Sequence, residues 1–350
     1  MTDFNKEFKG KSILVTGGTG SIGSEIVRQL ATFEPKTIRV FARSEYAHYK
    51  LKQEFGPEKN HLVRFIIGDI RDKSRLRLAM ENIDVVFHAA AMKHVDICDN
   101  DPFEAVATNI LGTQNIISVA RDSGVEKVVA ISTDKAANPE GVLGVSKLMA
   151  EKLILNSYYY RGNTKTKYTC VRFGNVLGSS GSILPLIKNQ ILKNGQVTVT
   201  DPNMTRFVMT IPQAVNLVLL AAVLTKGQEI FVLKMPAIKL GDLVKSAIKH
   251  YSGIFGKNPS EIKTKIMGLR KGEKKHEHLL AHHEAESVLE TKEMYVLTPR
   301  EDVWGYNHKS QYTGQRKKAN RSYSSEFARK LSQKQILGLL KEVDGGLQTV

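Results

Sequence analysis

A hydroxyl, a carboxylate and two ammonium groups are collected in one stretch, STDKAANPEGVLGVSK, which carries Ser132, Thr133, Asp134, Lys135 and Lys147. The first four leave an apolar run, Lys127 to Ser132, that reads as a strand. Lys147 starts a helical pattern that continues from Leu148 to Tyr158. Pro139 and Gly141 permit a tight return between the two. Grouped at a strand end, such side chains suit proton transfer and the steering of a bound cofactor. A solvated polar loop would carry the same residue types, but their place after a central strand argues for a site.

A second stretch supplies the cofactor half. Ser12 to Gly23 reads SILVTGGTGSIG, with Ile13, Leu14 and Val15 as a short buried strand. Thr16, Gly17, Gly18, Thr19, Gly20, Ser21, Ile22 and Gly23 form the turn, and Ile22, Ile26, Val27 and Leu30 then fall on one helical face. Whether read as Gly18, Gly20 and Gly23 or as Gly17, Gly20 and Gly23, the turn lacks side chains where a pyrophosphate must approach the backbone. The helix N-terminus behind it offers free N–H groups to that anion. A tight strand-to-helix turn is the plainer alternative; the setting between strand and helix favours dinucleotide binding.

The elements that must position these groups alternate. Thr37 to Ala42, Val63 to Ile67 and Val85 to Ala90 read as further strands, and Ile110 to Asp122 as a helix. This alternation predicts an α/β fold, a doubly wound, Rossmann-type parallel sheet, with ligands beyond the carboxyl ends of the strands. After the second strand come Arg43 and Ser44, where an NAD site usually carries an acid. A cation and a hydroxyl suit the extra phosphate of NADP, with NAD the alternative. Asp69 and Ile70 are placed to meet the adenine, and Ala89, Ala90 and Ala91 to form a small-residue wall. Lys93 and His94 can face an anionic substrate, although His94 is equally well read as a packing or capping residue. Asn109 in TNILGT reads as a structural polar residue.

Composition narrows the function class. The 350 residues carry 51 basic and 35 acidic side chains, a formal charge of +16. Nucleic acid is the obvious partner of such a chain. The basic residues are nevertheless scattered, apart from Lys271 to His278 and Arg316 to Arg321, and no recognition motif accompanies them. A basic surface around a site for pyrophosphate-bearing small molecules fits better, with no nucleic acid. Two cysteines, Cys98 and Cys170, far apart, give no disulfide framework or zinc spacing and indicate a reducing compartment. The longest apolar run, Ala214 to Leu224, is too short to span a bilayer, and the first residues carry no apolar signal core. The expectation is a cytoplasmic protein without membrane insertion. His276, His278, His282 and His283 lack the spacing of one helix face and read as a solvated helix, with no metal.

These landmarks together resemble the extended short-chain dehydrogenase/reductase family: TGGTGSIG, the GDI after the third strand, HAAAMKHV, TNILGTQN and STDKAANP. Lys147 matches the lysine of that family's YxxxK motif, which holds the nicotinamide ribose. The tyrosine position is Leu143, which cannot transfer a proton. That departure is similar to the nucleotide-sugar dehydratases of surface-polysaccharide synthesis, above all the UDP-N-acetylglucosamine 4,6-dehydratases that invert C5. In these TDK replaces TDE, and some members carry Met at the tyrosine position. The resemblance continues through VRFGNVLGSSGS, TDPNMTRF, KMPAIKLGDL, GLRKGEK and TKEMYVL, to about Leu340.

The resemblance implies a tightly bound, recycled NADP, a UDP-sugar substrate and a homo-oligomer. It makes Lys135 the base at C5, Asp134 the acid for the C6 hydroxyl, Thr133 the partner of the C4 oxygen and Lys147 the ribose ligand. A lysine base requires a lowered pKa. Asn175, Arg206, Arg270 and Glu273 would contact the nucleotide diphosphate. Removal of the C4 hydroxyl proton falls to Asp134 or Lys147. The expected organisation is a mainly cofactor-binding domain over 1–170, a smaller mixed α/β substrate region over 171–340 interleaved with it, and a tail over 341–350. A UDP-sugar 4-epimerase and a cofactor binder with impaired catalysis are the alternatives.

Overall fold

The computed structural model describes residues 3–56, 59, 61–160, 162, 164–269, 272–285, 288–298, 315–317 and 323–347. Six strands follow the alternation: β1 Ser12–Thr16, β2 Thr37–Ala42, β3 Val63–Ile67, β4 Val85–His88, β5 Lys127–Ile131 and β6 Lys167–Arg172. β1 and β4 are buried throughout, as strands covered on both faces must be. The rest are β7 Asn175–Val176, β8 Gln196–Val199, β9 Thr205–Met209, β10 Ile230–Leu233, β11 Ala237–Lys239, β12 Lys263–Ile266, β13 Val288–Glu290, β14 Met294–Leu297 and β15 Gln315–Lys317.

The large sheet runs β15-β13-β14-β10-β6-β5-β4-β1-β2-β3. From β3 to β10 every pairing is parallel, with Ile13 opposite both Ile38 and Val85, and Lys127 opposite both Val85 and Lys167. β14, β13 and β15 add on antiparallel. The fold is therefore α/β and Rossmann-like, and the order 3-2-1-4-5-6 reverses at β1 and β4, which opens a crevice at their carboxyl ends. Two smaller sheets, β11-β9-β7 and β12-β8, pair strands from the second half. They enclose their own core of Leu184, Ile187, Ile191, Met204, Val244 and Tyr251. The boundary expected between residues 170 and 171 falls inside β6, and β10, β13, β14 and β15 return to the first sheet.

Three local readings change. The helix expected from Lys147 starts at Val142, so Leu143 and Lys147 stand one turn apart on it. The helix expected from Ile110 is regular over Gly112–Asp122. A wide turn, Val106–Leu111, precedes it and is seated by Asn109, whose side chain bonds Met92 N at 2.8 Å and Ser146 Oγ at 3.0 Å. The run Ala214 to Leu224 belongs to the buried helix Ile211–Leu224. Among the described residues no helix is long and apolar enough to cross a membrane.

Candidate active site

The carboxyl ends of β1, β2, β4, β5 and β6 open into one cleft of about 1390 Å³, more than a single small-molecule pocket usually holds. Its floor is the glycine turn. Gly17 has φ +66°, and a Cβ there would lie 2.6 Å from Ala90 N, so no larger residue fits. The helix Ser21–Leu30 begins at Gly20 without a side-chain cap. Its first residues, Ser21, Ile22 and Gly23, line the cleft with Thr19 and Gly20, so the N-terminal end of this helix opens onto the space, while Gly20 N donates to Gly17 O at 2.9 Å. Gly18 packs against Val15 and Val40 behind the turn. Thr16 lies below it and bonds His88 Nδ1 at 2.8 Å. Thr113 donates to Asn109 O at 2.6 Å, so at 3.2 Å it accepts from His88 Nε2–H, and Thr16 must donate to Nδ1. Burial, with Lys147 nearby, pulls His88 down to about 3 and keeps it neutral.

Along one arm lie Arg43, Ser44, Asp69, Ile70, Ala89, Ala90 and Ala91. Ser44 caps the helix Glu45–Gln53 by accepting from Ala47 N at 3.2 Å. Arg43 is exposed, 4.0 Å from Asp69 and 3.8 Å from Glu104. Arg71 holds the same two carboxylates at 2.6 and 2.7 Å. Burial pushes Asp69 up, but Arg71 and Arg43 outweigh it and leave it below its usual range. Two orphaned hydroxyls face the cleft: Ser132 Oγ and Ser182 Oγ are buried without a partner among the described residues. An uncapped helix N-terminus, a glycine floor and unsatisfied donors fit a phosphate-bearing cofactor.

Thr133, Lys135, Leu143 and Lys147 line the middle of the cleft. Asp134 sits beneath them, 3% exposed. Its carboxylate accepts from Thr133 Oγ1 at 2.7 Å and from Lys135 Nζ at 3.2 Å. The expected lowering of Lys135 does not occur. Burial pulls the ammonium down, but Asp134 and then Glu277, 3.8 Å away, overcome it, so Lys135 is raised. Lys147, in contrast, is lowered by burial, and its Nζ donates to Ile131 O at 2.6 Å.

The far wall comes from the second half. Asn175, Arg206 and Glu273 line it, and Arg270 lies outside the described residues. Arg206 pairs with Glu273 at 3.2 Å and with Glu277 at 3.4 Å. Asn175 Nδ2 donates to both oxygens of Glu277, at 2.7 and 2.9 Å. Lys274 donates to the carbonyls of Ala137 and Asn138 and so ties this segment to the loop of Asp134. Lys93 donates to Ser180 O, and Ser21 Oγ accepts from Ser180 N at 3.0 Å, so the Ser179 to Ser182 loop crosses the glycine turn. His94 packs on Gly181 at the edge of the cleft.

Glu277 was not picked out in the sequence, although it stands three residues beyond Lys274 in the run after GLRKGEK. The solvated helix expected for the histidines exists only as His282–Ala285. His276 instead bonds Thr205 Oγ1 at 2.8 Å and pairs with that residue of β9, and His278, on the same extended segment, pairs with Ser324. Of the basic cluster Arg316 to Arg321, Arg316 and Lys317 belong to β15, and residues 318–321 lie outside the described residues.

A family model for polysaccharide biosynthesis proteins matches residues 13–299. The chain is 49% identical to an uncharacterized membrane protein of Methanocaldococcus jannaschii, over 97% of this chain and 98% of that one. It is 35% identical to an inverting UDP-N-acetylglucosamine 4,6-dehydratase of Campylobacter jejuni, over 97% and 99%. A UDP-glucose 4-epimerase of Rickettsia canadensis is 39% identical over 78% and 79%. The X-ray structure of Pen from Bacillus thuringiensis superposes with a TM-score of 0.88 at 41% identity, covering 98% and 99%. With its glycine turn, Lys147 and the Asp134–Lys135 pair set on a Rossmann-like sheet, the chain belongs to the polysaccharide biosynthesis protein family, on the pattern of the extended short-chain dehydrogenases/reductases.

Proposed function

We propose that the protein is a nucleotide-sugar 4,6-dehydratase that converts UDP-N-acetylglucosamine to a UDP-4-keto-6-deoxy sugar with inversion at C5, for surface polysaccharide or glycan synthesis. One observation carries this reading: Lys135 and Asp134 are paired at 3.2 Å beside the Thr133 hydroxyl. A 4-epimerase needs a proton acceptor at the C4 hydroxyl alone. Elimination across C5 and C6 needs a base and an acid together.

A nicotinamide cofactor bound on the glycine turn supplies removal of hydride at C4 and its return at C6, with none consumed overall. Around that exchange the chain does the rest. Thr133 hydrogen-bonds the C4 oxygen. Lys147, which burial lowers, holds the ribose and takes the C4 hydroxyl proton in place of the missing tyrosine. Lys135 removes the C5 proton once the ketone has acidified it, and the proton taken from the C4 hydroxyl balances the one delivered to C5 from the opposite face as hydride returns to C6. Asp134, behind the Thr133 hydroxyl, supplies the proton with which the C6 hydroxyl leaves as water. Asn175 and Arg206 receive the diphosphate, Arg206 exchanging Glu273 for a bidentate phosphate contact. Arg43 and Ser44 favour NADP over NAD. Arg43→Ala is expected to weaken NADP about tenfold or more and NAD far less, the size of a lost charged hydrogen bond.

Cys98 and Cys170 are buried and unpaired, which supports a reducing, cytoplasmic setting. Ile97, Phe103, Val145 and Met149 are exposed apolar side chains on adjoining helices, which supports a homo-oligomer. The deciding experiment is mass spectrometry and NMR of UDP-N-acetylglucosamine incubated with protein and NADP+. A product lighter by one water, with a C6 methyl signal, supports the dehydratase, and solvent deuterium at C5 reports the stereochemistry. An unchanged mass with an altered C4 coupling means an epimerase. Bound cofactor without turnover means a binder.

A further inference from the structure

Glu277 is a buried carboxyl that none of the roles above uses. It is 5% exposed, and Lys135 Nζ stands between the two acids, 3.2 Å from Asp134 and 3.8 Å from Glu277. Two buried carboxylates around one ammonium repel, so the pair is stable when it shares one proton. The surroundings place that proton. Asp134 has the Thr133 hydroxyl at 2.7 Å and Lys135 at 3.2 Å, both suited to a carboxylate. The donors nearest to Glu277 are neutral, Asn175 Nδ2 at 2.7 and 2.9 Å and Phe207 N at 3.1 Å, with the cations farther off, Arg206 Nε at 3.4 Å and Lys135 Nζ at 3.8 Å. Lys274 faces it from its own segment, with His276 and His278 flanking it in sequence.

We propose that Glu277 is a positioning residue that holds the shared proton next to Asp134 and thereby lets Lys135 hand its own proton to Asp134. This rests on the dehydratase reading for its catalytic consequence. With Glu277 neutral, Lys135–NH3+ faces one carboxylate. Transfer gives Lys135–NH2 and Asp134–COOH, the base and the acid that the elimination requires. Lys135 then takes the C5 proton, and Asp134 gives its proton to the departing C6 hydroxyl. The pair ends as ammonium and carboxylate, as it began. With Glu277 ionised, two carboxylates hold the proton on Lys135 and the base is lost. The ordering is consistent with the electrostatics: burial and then Asp134 push Glu277 up to about 7, while Asp134 stays low despite its burial.

The test compares wild type, Glu277→Gln and Glu277→Ala in kcat/KM for dehydration, which reports groups of the free enzyme. Wild type is expected to lose about tenfold between pH 6 and pH 8, following a group near 7. Glu277→Gln, fixed as neutral, is expected to show a pH 6 to pH 8 ratio near one. Glu277→Ala is expected to fall about 100-fold or more at every pH. A Glu277→Gln variant that keeps the alkaline limb, or that is as inactive as Glu277→Ala, overturns the proposal. A second measurement needs no turnover. A carboxyl raised on folding destabilises the native state as pH climbs from its unfolded value to its folded one. The Tm of Glu277→Gln minus that of wild type should therefore grow from pH 5 to pH 8; a flat difference overturns the assignment. If wild type gives no dehydrated product while this difference grows, the dehydratase reading fails and the proton on Glu277 stands.

Discussion

Leu143 stands one helical turn before Lys147, and both line the cleft on the helix Val142–Asn156. The two do different work. Leu143 is 4% exposed and packs with Cys98 and Ala105, whereas the half-buried Lys147 donates its ammonium to Ile131 O at 2.6 Å. Leu143→Ala should cost about 2–5 kcal/mol of unfolding free energy through the cavity it leaves, with cofactor affinity largely kept. Lys147→Met should keep the fold and weaken cofactor binding by about tenfold or more. Denaturant titration and cofactor titration on both variants separate the roles. A Leu143→Ala protein of unchanged stability that no longer turns over would refute the packing role.

Lys135 is raised between two carboxylates, so its removal should stop the reaction after its first half. In Lys135→Met the C4 hydroxyl can still be oxidised, but the C5 proton stays. Substrate addition should then build up reduced nicotinamide absorbance, with dehydration down by about 10²- to 10⁴-fold. Deuterium exchange at C5 should disappear with it. Full dehydration by this variant would remove Lys135 from the mechanism.

The first half of the fold is legible because each strand is a short apolar run followed by a helical pattern, and chain order matches spatial order closely. The glycine turn is legible for a local reason: Gly17 must adopt φ +66° hard against Ala90. The antiparallel extension is not. β13, β14 and β15 are strands of three or four residues whose partners come from the far end of the chain. The sign of the Lys135 shift was hidden for the same reason. It depends first on Asp134, the neighbour in sequence, and then on Glu277, which meets Asn175 across 102 residues of sequence, a contact that no local pattern announces. The residues after each strand carry the chemistry's identity, while their ionisation is set by the segment folded over them.

Arg172 is fully buried and holds Glu151 at 2.6 Å and Glu284 at 2.8 Å, and it donates to Leu279 O at 3.0 Å. It thus joins β6, the helix of Lys147 and the segment that follows Glu277. Arg172→Met leaves the buried Glu151 and the half-buried Glu284 without their cation. The expected loss is about 3–5 kcal/mol of unfolding free energy, read by urea titration. Because the same arginine sets the position of the segment carrying Glu277, kcat should fall as well. A variant of wild-type stability would show that the Glu151–Arg172–Glu284 contacts do not hold these elements together.

His88 gives the acid side of the stability profile. Its ring is buried between Thr16 and Thr113, accepting at Nδ1 and donating at Nε2. Protonation would place a second donor against Thr16, whose hydroxyl already donates. Burial lowers the imidazole from 6.5 to about 3. The unfolded chain therefore binds a proton that the folded chain refuses across that interval. By linkage, stability from this group is complete above pH 6.5 and falls as pH drops toward 3. His88→Gln cannot charge, so it should be less stable than wild type at pH 7 but lose less Tm between pH 6.5 and 4. Parallel Tm curves for the two proteins would mean that His88 is protonated in the native state and that the Thr16–His88–Thr113 chain is bonded the other way.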